Sequence, residues 1–211
     1  MTLKAVILTG GRSRRFGGVH KPGVAVGGVS VLARAVSAVR ALDPAAEVWV
    51  AGPLDGLDTA ARPTVRPVVE SPPFAGPLAG LAAAVAAMAP AQDSQPSTAD
   101  ARGSTVLVLA GDVPFLDPAD LARLVDASAR SDSPSGCTDA SGRFQPLFAA
   151  WPEQQLRERL QDIGDVENKP VRLLWDGVEP VLAPVSPAST EDFDTPEDYR
   201  RITGSSSPSQ S

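Results

Sequence analysis

Apolar positions along this chain follow two alternating rhythms. Short aliphatic runs at residues 4–8, 47–51, 65–69 and 105–110 predict buried strands. Between them, apolar residues recur at three- and four-residue intervals over 31–42, 78–88 and 118–127, predicting helices. In the first helix Leu32, Ala35, Val36, Val39 and Leu42 share one face, and Ser30 stands where an N-cap belongs. Asp117-Pro118-Ala119-Asp120 opens the third helix with a cap, a proline at the first helical position and an acidic first turn. Strand–helix alternation of this kind predicts an α/β fold with a mostly parallel sheet between helical layers.

The run 105–110 is apolar without alternation, which suggests a central strand covered on both faces. In open α/β sheets ligands bind beyond the carboxyl ends of strands. Leu8 and Ala110 are two such ends, so the segments that follow them are expected to converge on one site. The second half is less regular. Residues 145–151 read as a strand, 153–163 as a helix and 180–185 as a strand, adding a small lobe or an edge that includes an antiparallel strand. The stretch 90–104, rich in Ala, Ser, Pro, Gln and Asp, reads as a flexible surface excursion. A single domain is expected over 1–203, with a disordered Ser/Pro-rich tail over 204–211.

Composition narrows the function. No apolar run approaches the roughly 20 residues that span a bilayer, and the N-terminus lacks a signal-peptide pattern. The one cysteine, Cys137, allows no internal disulfide and no CxxC metal site. A cytoplasmic protein is therefore expected. Net charge is −6, which argues against nucleic acid as a partner. Positive charge gathers instead between Arg12 and Lys21, and Lys21 is one of three lysines in the chain. A focused positive site on an acidic background suits a small anionic ligand.

The candidate chemistry follows from these segments. LTGGRSRRFGGVHK (residues 8–21) leaves the first strand as a glycine-rich loop whose amides can cradle phosphate. It is neither a Walker A motif nor a G-x-G-x-x-G fingerprint, and a plain basic connection is the alternative reading. Asp112, just past the central strand, can hold Mg²⁺ or act as a turn residue, although Asp117 is the better helix cap. In ESPPFAGPLAGL (70–81), Gly76 and Gly80 would let a planar ring approach the backbone; a tight strand-to-helix turn is the alternative. In DFDTPED (192–198), Asp194 or Thr195 can cap a last helix with Pro196 following, and Asp192 or Asp194 can also bind a metal. His20 reads as a solvent-facing loop residue, and Trp49, Trp151 and Trp175 read as packing residues. Asn168, Lys169 and Arg172 are polar groups available to an acceptor pocket.

Together the four segments resemble the MobA-like nucleotidyltransferase family, and within it the molybdenum cofactor guanylyltransferases. The family's L-A-G-G-x-S-x-R-M-G-x-D-K stands at 8–21, its G-P-L-A-G-L at 76–81, its D-x-P-F-L at 112–116 and its late (N/D)-x-(N/D)-T-P-E element at 192–198. The resemblance implies a Rossmann-like three-layer α/β/α fold. It also implies transfer of GMP from GTP to molybdopterin with Mg²⁺, releasing pyrophosphate. It places Leu8, Thr9, Gly10, Gly11, Arg12, Arg15, Lys21, Glu70, Ser71, Gly76, Pro77, Leu78, Gly80 and Asp112 at the nucleotide. Arg15, Lys21 and Asp112 would be catalytic, with Asp112 and Asp194 as metal ligands. The implied partners are GTP, molybdopterin and proteins of molybdenum cofactor biosynthesis, with no nucleic acid or membrane. His20 and Ser71 stand where the family usually carries aspartate, each removing a carboxylate. A relative with another acceptor (cytidylyl transfer to molybdopterin, a sugar phosphate or phospholactate) and a weakened nucleotide-binding homologue are the competing readings.

Overall fold

The protein is described by a computed structural model covering residues 2–10, 21–88, 103–192, 198 and 199. The glycine-rich loop beyond Gly10, most of the 90–104 excursion, Asp194 and the 204–211 tail lie outside these described residues. Nine strands are present among them: β1 (Leu3–Leu8), β2 (Ala25–Val26), β3 (Val29–Ser30), β4 (Glu47–Ala51), β5 (Arg66–Val68), β6 (Thr105–Ala110), β7 (Ser135–Thr138), β8 (Phe144–Pro152) and β9 (Val181–Leu182). Four α-helices accompany them: α1 (Val31–Leu42), α2 (Pro77–Ala87), α3 (Pro118–Ser131) and α4 (Glu153–Ile163).

Seven strands form one sheet in the order β5-β4-β1-β6-β8-β7-β9, while β2 and β3 make a separate hairpin. β1 lies parallel to β4 and β6, and β4 is parallel to β5. Alternate residues of β1 point to opposite layers, as the two-residue period of a strand requires. Ala5 and Ile7 pack with Leu32, Val36 and Val39 of α1 and Leu121 and Leu124 of α3. Val6 and Leu8 pack with Leu78 and Leu81 of α2 and Leu156 and Leu160 of α4. The sheet is thus covered on both faces, giving the three-layer α/β/α arrangement. Each fully buried Leu or Ile in these layers contributes about 1.5–3 kcal/mol relative to exposure.

The helix ends obey their local signals. Ser30 caps α1 by accepting from the Ala33 amide at 3.1 Å, and Asp117 caps α3 by accepting from Ala119 at 2.8 Å. α3 runs on to Ser131, past the expected 127, with Ser128 still on its buried face. The expected 180–185 strand shrinks to two residues at the sheet edge.

The antiparallel strand needs correction. It is β8, and it lies inside the sheet between β6 and β7, not at the edge. The crossover through α3 carries β7 one position past β6, and the tight 139–143 turn sends β8 back antiparallel into the gap. Asp139 builds that turn, accepting the Ser141 and Arg143 amides at 2.8 and 3.0 Å. Ser135-Gly136-Cys137-Thr138 has no apolar alternation, so β7 was not expected from the chain. Gly136 makes room there, since a Cβ would sit 2.6 Å from the Phe144 ring and force it to shift.

Candidate functional site

The carboxyl ends of β1 and β6 are locked together. The Gly111 amide donates to the Leu8 carbonyl at 2.9 Å. A Cβ on Gly111 would meet that same oxygen at 2.9 Å, so only glycine permits the approach. This lock sets Asp112 beside the start of the loop leaving β1. Lys21, at the far end of that loop, returns to the same place in a single 3-10 turn (Lys21–Gly23). Its Nζ lies 3.9 Å from Asp112 Oδ2. The Lys21 side chain is 10% exposed and that of Asp112 32%, so the ammonium is nearly enclosed while the carboxylate still faces solvent. Tyr199 closes this end of the fold: its hydroxyl donates to the Ala25 carbonyl at 2.7 Å, and its ring packs on Val24, Val26 and Val31.

Next to this pair, a cavity of about 320 Å³ opens between β1, β4 and the N-terminus of α2. Leu8, Gly10, Ala51, Glu70, Phe74, Gly76, Pro77, Gly80 and Asn168 line it. Gly76 takes φ 98° as the residue before α2, a conformation that favours glycine. Gly80 keeps the cavity open. A Cβ there would lie 3.4 Å from Ala51 Cβ, 3.7 Å from Leu8 Cδ2 and 3.9 Å from Glu70 Oε2, all atoms of lining residues. The Glu70 carboxylate is anchored through Oε1, which accepts the Phe74 amide at 3.0 Å. Across the cavity the Asn168 amide donates to the Ala75 carbonyl at 2.6 Å, fastening the 165–169 turn to the segment before α2.

Six of the nucleotide-site residues expected from sequence therefore meet at one cavity: Leu8, Gly10, Glu70, Gly76, Pro77 and Gly80. Lys21 and Asp112 meet beside each other at the adjoining strand ends. Gly11, Arg12, Arg15 and Asp194 lie outside the described residues. Three other expected residues have different surroundings. Thr9 is 2% exposed and its hydroxyl donates to the Pro53 carbonyl at 2.8 Å, so its side chain braces the loop after β4 instead of facing a ligand. Leu78 is fully buried in the core beneath α2. Ser71 is exposed and outside the cavity lining.

The first two amides of the loop have a partner within the protein. The amides of Thr9 and Gly10 both donate to the Ala51 carbonyl, at 3.0 and 3.2 Å. Gly52 enforces this closeness, because a Cβ there would sit 2.7 Å from the Gly10 nitrogen. Ala51 and Phe74 were missing from the expected set, and Asn168 was offered only to an acceptor pocket. Asn168 carried a usable signal: asparagine tolerates left-handed backbone, and it has φ 54° here.

Other titratable groups serve structure. Glu153 is 9% exposed and receives Lys4 Nζ at 2.7 Å and Arg157 Nη2 at 2.6 Å. Burial pushes its carboxyl up, but the hydrogen bonds from Lys4, Ser104 and Arg157 prevail and hold it below 4.5. Asp120 is fully buried and accepts from the Ser186 amide and hydroxyl and from Arg123. Burial pushes the Cys137 thiol up to about 12, with Asp120 and Asp139 adding to the shift. Among the described residues no group of three or more His, Cys, Asp or Glu side chains could hold a metal. A second cleft, about 430 Å³, sits at the opposite sheet edge between α3 and β9.

Residues 5–176 match the model of the MobA-like NTP transferase domain. The chain belongs to the MobA-like NTP transferase family. It is 32% identical over 154 residues to a molybdenum cofactor guanylyltransferase of Mesorhizobium japonicum, covering 72% of this chain and 68% of that one. Among solved structures, a nucleotidyl transferase from Methanothermobacter thermautotroptrophicus superposes with TM-score 0.68 at 26% identity, covering 96% of each chain. A molybdopterin-guanine dinucleotide biosynthesis protein A from Archaeoglobus fulgidus superposes with TM-score 0.63 at 19% identity, covering 95% of this chain and 97% of that one. The family assignment makes the protein a nucleotidyltransferase, and the α/β sheet is the fold those structures share. Among the described residues of this MobA-like transferase, no helix is long and apolar enough to cross a membrane.

Proposed function

We propose that this nucleotidyltransferase moves GMP from GTP to the terminal phosphate of molybdopterin. The supporting observation is the juxtaposition at the end of β1. A glycine-walled cavity of about 320 Å³ containing the Glu70 carboxylate adjoins the Lys21–Asp112 pair. The resemblance to the Mesorhizobium japonicum guanylyltransferase supports the choice of nucleotide and acceptor.

In this reading the cavity takes the base. A carboxylate accepts hydrogen bonds only, and guanine offers two neighbouring donors, N1–H and the 2-amino group. Glu70 Oε2 faces the Gly80 wall while Oε1 is held by the Phe74 amide, so one oxygen is left for the base edge. The triphosphate then extends from the cavity toward Lys21, with Arg15 and Arg12 of the loop adding positive charge.

The acceptor's terminal phosphate is already anionic. One of its oxygens forms a bond to the α-phosphorus, the bond from that phosphorus to the α–β bridging oxygen breaks, and pyrophosphate leaves with the electron pair. No general base is needed, which suits a site without a histidine dyad. Positioning and charge neutralisation dominate such chemistry. The Lys21 ammonium, nearly enclosed, offsets charge that builds on the departing pyrophosphate.

Asp112 suits a divalent cation. It presents a hard oxygen donor at a strand end with solvent still reaching it, and Mg²⁺ commonly takes one or two carboxylates together with water and substrate phosphates. Asp112 would hold the ion, with Asp194 as the second carboxylate. When bound, the ion supplies Lewis-acid stabilisation of phosphoryl oxygens.

A panel of nucleoside triphosphates with Mg²⁺ in a thermal-shift assay tests this reading. Selective stabilisation by GTP is expected, followed by pyrophosphate release when molybdopterin is added. Indifference to all four nucleotides overturns it, and preference for CTP reassigns the base.

A further inference from the structure

Among the described residues three non-glycine positions have positive φ: Phe74 at 65°, Asp132 at 47° and Asn168 at 54°. Asp132 is the C-terminal cap of α3, an ordinary place for left-handed backbone. The other two both line the cavity under the N-terminus of α2. A bulky aromatic residue rarely adopts this conformation, and such outliers gather where surroundings over-determine them for a task. Phe74 lines the cavity with 67% of its surface exposed. Its amide donates to Glu70 Oε1 at 3.0 Å.

We propose that Phe74 is a specificity-determining residue whose ring stacks on the face of the bound purine as the outer wall of the base pocket. The proposal rests on the base-pocket reading above and adds a second recognition element to it. The edge and the face of the base are then read by one linked unit. Glu70 Oε2 remains for the edge, while Oε1 fixes the residue that covers the face. On the opposite wall, the Asn168 amide ties its turn to Ala75 at 2.6 Å, so the two sides of the slot are joined directly behind Phe74. A cavity lined by glycines and an aromatic residue suits a flat bicyclic base better than a sugar or a phosphate.

The test compares binding of GTP and of inorganic tripolyphosphate to the full chain and to Phe74→Leu, Phe74→Gly and Phe74→Trp. The glycine variant takes the left-handed backbone without strain, so it removes the ring and spares the turn. Base–aromatic stacking of ordinary strength predicts GTP affinity roughly 5- to 150-fold weaker in the leucine and glycine variants. Tripolyphosphate affinity should not change, and Phe74→Trp should bind GTP as tightly as the natural chain, with its indole fluorescence quenched by GTP and not by tripolyphosphate. If the natural chain binds GTP and the leucine and glycine variants bind it equally well, the stacking role is overturned and the base pocket stands. Equal losses for GTP and tripolyphosphate also overturn it, because the residue would then only support the loop. A natural chain that binds tripolyphosphate but not GTP overturns the base pocket and the proposal together.

Discussion

Gly80→Ala should make the protein more stable and a poorer nucleotide binder at the same time. Gly80 is in the first turns of α2, is buried and has ordinary helical backbone. The new methyl would touch Ala51 Cβ at 3.4 Å and Leu8 Cδ2 at 3.7 Å, which is normal packing distance, so no neighbour has to move. Replacing a helical glycine by alanine is worth about 1 kcal/mol. For a chain of this size that corresponds to a melting temperature raised by about 2–4 °C. The same methyl lies 3.9 Å from Glu70 Oε2, among the atoms that line the cavity. A base resting against the glycine wall would have to withdraw, and overfilling a fitted site costs about 1–3 kcal/mol, a roughly 5- to 150-fold loss of affinity. Differential scanning calorimetry without ligand and titration calorimetry with GTP read the two effects separately. Their opposite signs exclude general damage to the fold. A variant with a raised melting temperature and unchanged GTP affinity would show that the base binds elsewhere. A lowered melting temperature would refute the packing argument itself.

Asp112→Ala should abolish metal-dependent pyrophosphate release, by about 10²–10³-fold or more, while the protein still unfolds in one cooperative transition; turnover assays and calorimetry check both halves. Lys21→Ala should weaken binding of GTP and of tripolyphosphate in parallel, because it removes charge from the phosphate side of the site and leaves the base cavity intact. The Glu153 carboxyl is held below its ordinary 4.5 in the fold, so its contribution is fully present above that value and disappears as pH falls through the lower folded value. Melting temperatures followed downward from about pH 6 should therefore drop less steeply in Glu153→Gln than in the natural chain, and parallel curves would refute this. Cys137 is fully buried and its thiol is pushed up to about 12, so a maleimide at neutral pH should label it only after unfolding.

Much of the fold was legible in local pattern. β4 and β6 and helices α1 and α4 occupy the stretches that hydrophobic periodicity picks out, because a strand or helix with one buried stripe must repeat that stripe in its own sequence. Ser30 and Asp117 announced their helices for an equally local reason, a side-chain oxygen within reach of an amide two or three residues on. The polar β7 carried no such stripe, and of the expected 180–185 strand only Val181–Leu182 form one. β7 is a strand because β8 and β9 supply partners, not because of an apolar repeat of its own.

The site divides in the same way. Glycines at 76 and 80, the acid at 70 and the Lys21–Asp112 pair are written in short motifs, since each motif needs its residue types at fixed spacing. Sequence by itself thus determined the family, the strand–helix alternation and the residue types at the end of β1. Tertiary structure alone decided that the Thr9 and Gly10 amides serve Ala51, that β8 enters the middle of the sheet, and that Phe74 and Asn168 share a cavity. These features depend on contacts between residues far apart along the chain, and no local spacing encodes which distant carbonyl an amide will meet.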